Sequence, residues 1–145
     1  MRKIRYIVVH CTAGNQRAKA ADVIAYHTVT LGWRRPGYHY IIEADGTVVA
    51  AVPEEEPSNG VKGRNAYCIN VSYIGGVDTS RQGLPPVDNR TAAQKAALIR
   101  LLTELHGKYP EAEIVGHRDF PEVKKACPSF DARREYAHIF GGKID

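Results

Sequence analysis

The chain has 145 residues, of which 43% are hydrophobic and 25% charged, with a formal net charge of +4. That is the size and composition of one globular domain, and it excludes a disordered chain. No apolar run approaches the ~20 residues that span a bilayer, so no membrane insertion is expected. The basic residues come in pairs (Arg34-Arg35, Lys124-Lys125, Arg133-Arg134), without the aromatic-interleaved stripe of a nucleic-acid binder, so no nucleic acid is expected as partner. Three cysteines, Cys11, Cys68 and Cys127, are an odd count that argues against a disulfide framework.

The start, Met1-Arg2-Lys3-Ile4-Arg5, is basic and leads into apolar Tyr6 to Val9. That apolar stretch is too short for the ~7–15-residue core of a secretory signal. Residues Ile4 to Val9 therefore read as a buried strand, and synthesis in the cytoplasm without a signal peptide is expected. From Ala20 the positions Ala20, Val23, Ile24, His27 and Leu31 recur at helical spacing, and Gly32 suits the position after the helix end. Tyr38 to Ile42 and Thr47 to Ala50 read as strands joined through Ala44-Asp45-Gly46, a hairpin signal.

Residues 53–64 are polar and rich in turn formers, hence a surface loop. Tyr67 to Ile74 is an apolar strand ended by Gly75-Gly76, and a second loop, 79–89, carries Pro85-Pro86. Thr91-Ala92-Ala93-Gln94 is a capping-box pattern. It opens a helix with Ala97, Leu98, Leu101, Leu102 and Leu105 on one face and Pro110 just past its end. Ala112 to Gly116 is a short strand leading to His117, and Ser129 is placed to cap a last short helix to about Ile139. Strands and helices in this order predict one α/β or α+β domain, a sheet covered by about three helices.

Three residues carry chemistry. His10 ends the first strand, His117 ends the late one, and Cys127 lies in Lys124-Lys125-Ala126-Cys127-Pro128-Ser129. Sites gather at strand ends on one edge of such sheets. Two imidazoles and a thiolate suit zinc and leave its fourth tetrahedral position open, the mark of a catalytic site. No local spacing fixes the three together, so surface-bonded histidines and an inert buried thiol remain the alternative. His27, on the apolar face of its helix, reads as a satisfied core histidine, and His106, in the last turn of the long helix, is favoured there by the helix dipole. His39 and Tyr38 alternate on a strand and face opposite ways, as do Cys11 and His10. Trp33 is equally suited to stacking on a sugar and to the core.

The succession Val9-His10-Cys11-Thr12-Ala13, Gly32-Trp33, Gly37-Tyr38-His39-Tyr40-Ile41-Ile42, Asp45-Gly46-Thr47-Val48, Ile74-Gly75-Gly76, Gly116-His117-Arg118 and Ala126-Cys127-Pro128-Ser129-Phe130 resembles the type-2 N-acetylmuramoyl-L-alanine amidases. These are zinc amidases related to phage lysozyme-amidases and animal peptidoglycan recognition proteins. The resemblance covers nearly the whole chain. It implies a single α/β catalytic domain over 1–145, with a central mixed β-sheet flanked by helices, and one Zn2+ per chain on His10, His117 and Cys127. Tyr38 is implied as the residue that orients the attacking water or bonds the tetrahedral intermediate. Lys125, two before the cysteine, is implied to offset the oxyanion charge.

The implied reaction is hydrolysis of the amide between N-acetylmuramic acid and L-alanine in peptidoglycan by a monomeric phage or prophage lysis enzyme that reaches the wall after release. No Glu sits at a position the motifs mark out as general base, so zinc-activated water with Tyr38 is the expected arrangement. A non-catalytic peptidoglycan-binding or regulatory protein of the same fold is the alternative. Two departures stand out: Ile69-Asn70 replaces the usual Ile-Gly, where asparagine's tolerance of unusual backbone angles is expected to preserve the fold. The loop near Gly60 also lacks the histidine of some relatives.

Overall fold

The computed structural model describes residues 2–141, with side chains to residue 139; Met1 and residues 142–145 of the expected domain lie outside the described residues. Five strands form one mixed sheet in the order β3-β2-β4-β1-β5: β1 (Tyr6–Cys11), β2 (Tyr40–Ile42), β3 (Val48–Ala50), β4 (Cys68–Tyr73) and β5 (Glu113–Gly116). The β2–β3 pair is antiparallel; β2–β4, β4–β1 and β1–β5 are parallel. The hairpin closes where predicted, with Gly46 at φ 90° and its N–H donating to Glu43 O at 2.8 Å.

The long helix is α2 (Ala92–Lys108). Its capping box forms as the sequence dictates: Gln94 N–H donates to Thr91 Oγ1 at 3.0 Å, and Thr91 N–H to Gln94 Oε1 at 3.0 Å. Ala97, Leu98, Leu101, Leu102 and Leu105 pack against Ile7, Val9, Ile69 and Val71 in the main core. Strand alternation sends Val8 and Cys68 to the other face, where Val61, Val115 and Phe120 cover them.

The first helix, α1 (Ala20–Ala25), is shorter than its periodicity suggests. It widens into a π-turn over Tyr26–Thr30, where Leu31 N–H bonds Tyr26 O at 2.9 Å, and Gly32 follows at φ 71°. The final helical segment is two short pieces, α3 (Ala132–Glu135) and α4 (Ala137–Gly141). Ser129 does not cap it. Asp131 accepts from Arg134 N–H, while Ser129, at φ 71°, donates its hydroxyl to Gly76 O at 2.7 Å. Among the described residues no helix is long and apolar enough to cross a membrane.

Candidate metal centre

Parallel pairing of β1 with β5 brings His10, near the end of β1, beside His117, the first residue of a 3-10 turn (His117–Asp119) that follows β5. The two rings lie 4.6 Å apart. The Cys127 segment is tied to this edge by backbone. Arg118 N–H donates to Cys127 O at 2.8 Å and the Tyr73 hydroxyl to Pro128 O at 2.6 Å. Gly116 leaves room for Pro128, whose Cδ would lie 2.9 Å from a Cβ at that position.

Cys127 Sγ ends 4.0 Å from His10 Nδ1, and the donor atoms of His10, His117 and Cys127 all lie within 4.8 Å of one another. Tetrahedral zinc with bonds of ~2.0–2.3 Å places its ligand atoms roughly 3.3–3.6 Å apart. The donor set suits that ion, the His10–Cys127 edge needing a contraction of a few tenths of an ångström and no edge more than about 1.5 Å.

The protonation states suit metal binding. Burial, helped by the neighbouring His117 charge, pushes His10 down to about 3. Burial and the Lys125 charge lower His117. Both imidazoles are neutral donors at neutral pH. The adjacent Cys11 thiol and burial push the Cys127 thiol up, so it holds its proton until a cation displaces it. Cys11 N–H already points at Cys127 Sγ from 3.1 Å, ready to stabilise a thiolate. The Cys11 side chain belongs to the main core, against which Cys127 also packs, so the two thiols are neighbours, and Cys68 is buried.

A recess of about 190 Å³ counts His10, Tyr38, His117, Lys125 and Cys127 among its lining residues. All five residues predicted from the resemblance therefore meet. The recess shares His117, Lys125, Trp33, Asn59 and Gly60 with an open groove of about 770 Å³. Tyr38 sits with its ring 5.1 Å from His10. Burial raises its phenol, which is thus a hydrogen-bond donor throughout the neutral range. Lys125 is exposed and reaches both cavities, whereas Lys124 lines only the outer groove.

His27 is the satisfied core histidine expected: Gly37 N–H donates to its Nδ1 at 3.0 Å and Trp33 stacks on its ring at 4.7 Å. Trp33 itself is 38% exposed on the groove rim. His39 stays out of the trio, its Nδ1 accepting from Asn70 N–H at 3.0 Å.

Sequence reasoning missed the contact between Asn70 and His10. Asn70 lies in extended β4, outside the positive-φ residues, so its backbone tolerance is unused. Its side chain bonds His10 Nε2 at 2.8 Å. The available signal was a wholly buried polar residue inside the apolar run Cys68-Ile69-Asn70-Val71.

The architecture is shared with solved lytic enzymes. The Ph2119 endolysin from a Thermus scotoductus bacteriophage superposes with a TM-score of 0.77 at 26% identity, covering 97% of this chain and 86% of that one. The N-acetylmuramoyl-L-alanine amidase LysC of Clostridium intestinale gives 0.77 at 25%, covering 94% and 84%. Fold and site together define the class as the endolysin-type amidase fold. In sequence, the endolysin of Enterobacteria phage K11 is 39% identical over 128 residues, 87% of this chain and 81% of that protein. The family described as N-acetylmuramoyl-L-alanine amidase matches residues 1–130, and the chain belongs to that family.

Proposed function

We propose that this chain is a zinc-dependent N-acetylmuramoyl-L-alanine amidase of the phage-lysis type, cutting the amide between N-acetylmuramic acid and L-alanine of peptidoglycan once it is released to the wall. The observation that carries this reading is the His10–His117–Cys127 trio, with His10 buried and His117 also lining an open groove of about 770 Å³. Zinc bound there supplies Lewis-acid chemistry, acidifying water and polarising an amide carbonyl.

The remaining work falls to this chain's own residues. Tyr38, protonated by burial, donates a hydrogen bond toward the reacting carbon's substituents. Lys125, at the junction of recess and groove, places its ammonium where negative charge develops on the amide oxygen. Trp33, half out of the surface on the groove rim, offers an apolar ring face to a sugar or a peptide methyl.

The test is zinc analysis of the purified chain together with mass spectrometry of digested sacculi. About one zinc per chain is expected. Chelation removes activity and zinc restores it, and the products are free stem peptides beginning with L-alanine plus intact glycan. Cys127→Ser weakens zinc binding, because a hydroxyl is a far poorer ligand than a thiolate, while Cys11→Ser and Cys68→Ser keep the metal. A fully active metal-free protein, new reducing sugar ends, or loss of zinc from Cys11→Ser alone overturns the reading.

A further inference from the structure

His10 is held from behind by a chain of hydrogen bonds that the proposed chemistry does not itself require. Its Nδ1 faces Cys127, and its Nε2 lies 2.8 Å from Asn70 Oδ1. Asn70 Nδ2 donates to Ser58 Oγ at 2.8 Å, and the Ser58 hydroxyl donates to Gly37 O at 3.0 Å. All three side chains are at most 1% exposed, so water cannot substitute for a lost partner.

The direction of the chain is determined. The Gly37 carbonyl only accepts, so Ser58 donates to it. Ser58 therefore accepts from the Asn70 amide N–H, Asn70 presents its carbonyl oxygen to His10, and His10 carries its proton on Nε2 with the Nδ1 lone pair free. The alternative of Ser58 donating to His39 Nδ1, 3.2 Å away, is closed because that atom already accepts Asn70 N–H.

A second residue supports the first. A Cβ on Gly60 would lie 2.3 Å from Asn70 Cγ and 2.5 Å from both of its amide heteroatoms. Gly60 has no positive φ, so the glycine serves space and not backbone conformation. The loop and the strand are matched: Asn70 fits only opposite a residue without a side chain.

We propose that Asn70 is a positioning residue for the metal centre, fixing the Nε2-protonated tautomer and ring plane of His10, with Gly60 opening the space Asn70 occupies. The proposal rests on the metal-site reading above and adds to it a residue that does not itself touch the metal.

The first measurement uses the metal-free wild-type chain: long-range 1H–15N NMR of the His10 ring. The Nε2–H tautomer is expected; the Nδ1–H tautomer overturns the proposal whatever the chain does with zinc. The second measures zinc affinity against a chromophoric chelator, with the absorption spectrum of the Co2+ form as a check on geometry. Asn70→Leu, similar in size with no acceptor, should weaken zinc roughly 10–100-fold and admit the second tautomer. Asn70→Asp keeps an acceptor oxygen and should retain both tautomer and affinity.

Gly60→Ala should reproduce the loss without removing any hydrogen-bonding group. In an Asn70→Gly background, where the clash is gone, the same substitution should cost nothing further. Equal affinities for wild type and Asn70→Leu, or additive losses in the Asn70→Gly/Gly60→Ala pair, overturn it. A wild-type chain that binds no zinc fails the metal-site reading instead, and the tautomer measurement still decides the geometry claimed for Asn70.

Discussion

Lys125→Ala, with Lys124→Ala as its control, separates a transition-state contact from general basic charge. The two lysines are adjacent, equally charged and both exposed, so neither substitution should move stability beyond about 0.5 kcal/mol. Their positions differ: Lys125 borders the recess that holds the metal trio, and Lys124 borders only the outer groove. A donor aimed at a developing oxyanion is typically worth ~10²–10³ in turnover, or ~2.7–4 kcal/mol. A rim charge that merely attracts an anionic wall is worth about 1 kcal/mol or less, up to ~5-fold.

The Lys125 charge also adds to the lowering of His117 by burial and offsets a small part of the rise of Cys127. The comparison must therefore be made at saturating zinc, so that weaker metal binding is not read as lost catalysis. The assay is release of peptide from a soluble muropeptide, with kcat and KM taken at about 0.15 M and about 0.5 M salt, because exposed charges are screened over such a range. Lys125→Ala should lower kcat ~10²-fold or more at both salts with KM little changed. Lys124→Ala should stay within ~5-fold and converge on wild type in high salt. Equal losses in the two variants, or a Lys125→Ala defect that salt removes, refutes a specific role for Lys125.

Tyr38→Phe should keep fold and zinc content, since the hydroxyl's bond to Cys11 O is long, at 3.4 Å, yet lower kcat by ~10²-fold; undiminished turnover in steady-state kinetics would remove Tyr38 from the mechanism. Acid should destabilise the metal-free chain early. His10 and His39 are held down to about 3 and about 4, chiefly by burial, so the folded state binds fewer protons than the unfolded state below pH ~6.5. Their stabilisation is present above that pH and is lost as pH falls toward 4, at on the order of 1.4 kcal/mol per pH unit for each histidine. Urea midpoints at about pH 7 and pH 5 check this, and identical midpoints contradict it.

What was legible in the sequence follows the range of the interactions concerned. The Thr91–Gln94 capping box and the Gly46 turn are decided within a few residues, and they form as predicted. The helix after Ala20 was legible as an apolar face but not in its pitch: in the π-turn at Tyr26–Thr30 His27 stays buried, while Leu31, the last residue of the expected face, is 43% exposed. Ser129 was misassigned as a cap because the partner its hydroxyl takes instead, the Gly76 carbonyl, lies more than fifty positions away in sequence, and Asp131 caps the helix. The metal trio was invisible to spacing for the same reason: residues 10 and 117 meet only because β1 and β5 pair in parallel. It became legible through the order of motifs. Asn70 was read as a matter of backbone angle when it is a matter of hydrogen bonds, and no local rule connects it with His10, Ser58 and Gly60.

The parity of β1 joins the core to the chemistry. Ile7, Val9 and Cys11 point into the core against α2, while Val8 and His10 point the other way; opposite them in β4, Ile69, Val71 and Tyr73 face the core and Asn70 and Ser72 share the side of His10. A slip of one residue in β1 would turn the core set outward and carry His10 into the leucines of α2. Both faces of β1 are covered, so Ile7 and Val9 would move into the second cluster around Val61, Val115 and Phe120, at a misfit cost of ~1–3 kcal/mol, and the slip would leave a buried imidazole without its partner. The same apolar residues that close the core therefore fix which face His10 presents. Asn70, two register positions from Ser72 on that face, sets only what remains free once parity is settled: the ring's tautomer and tilt.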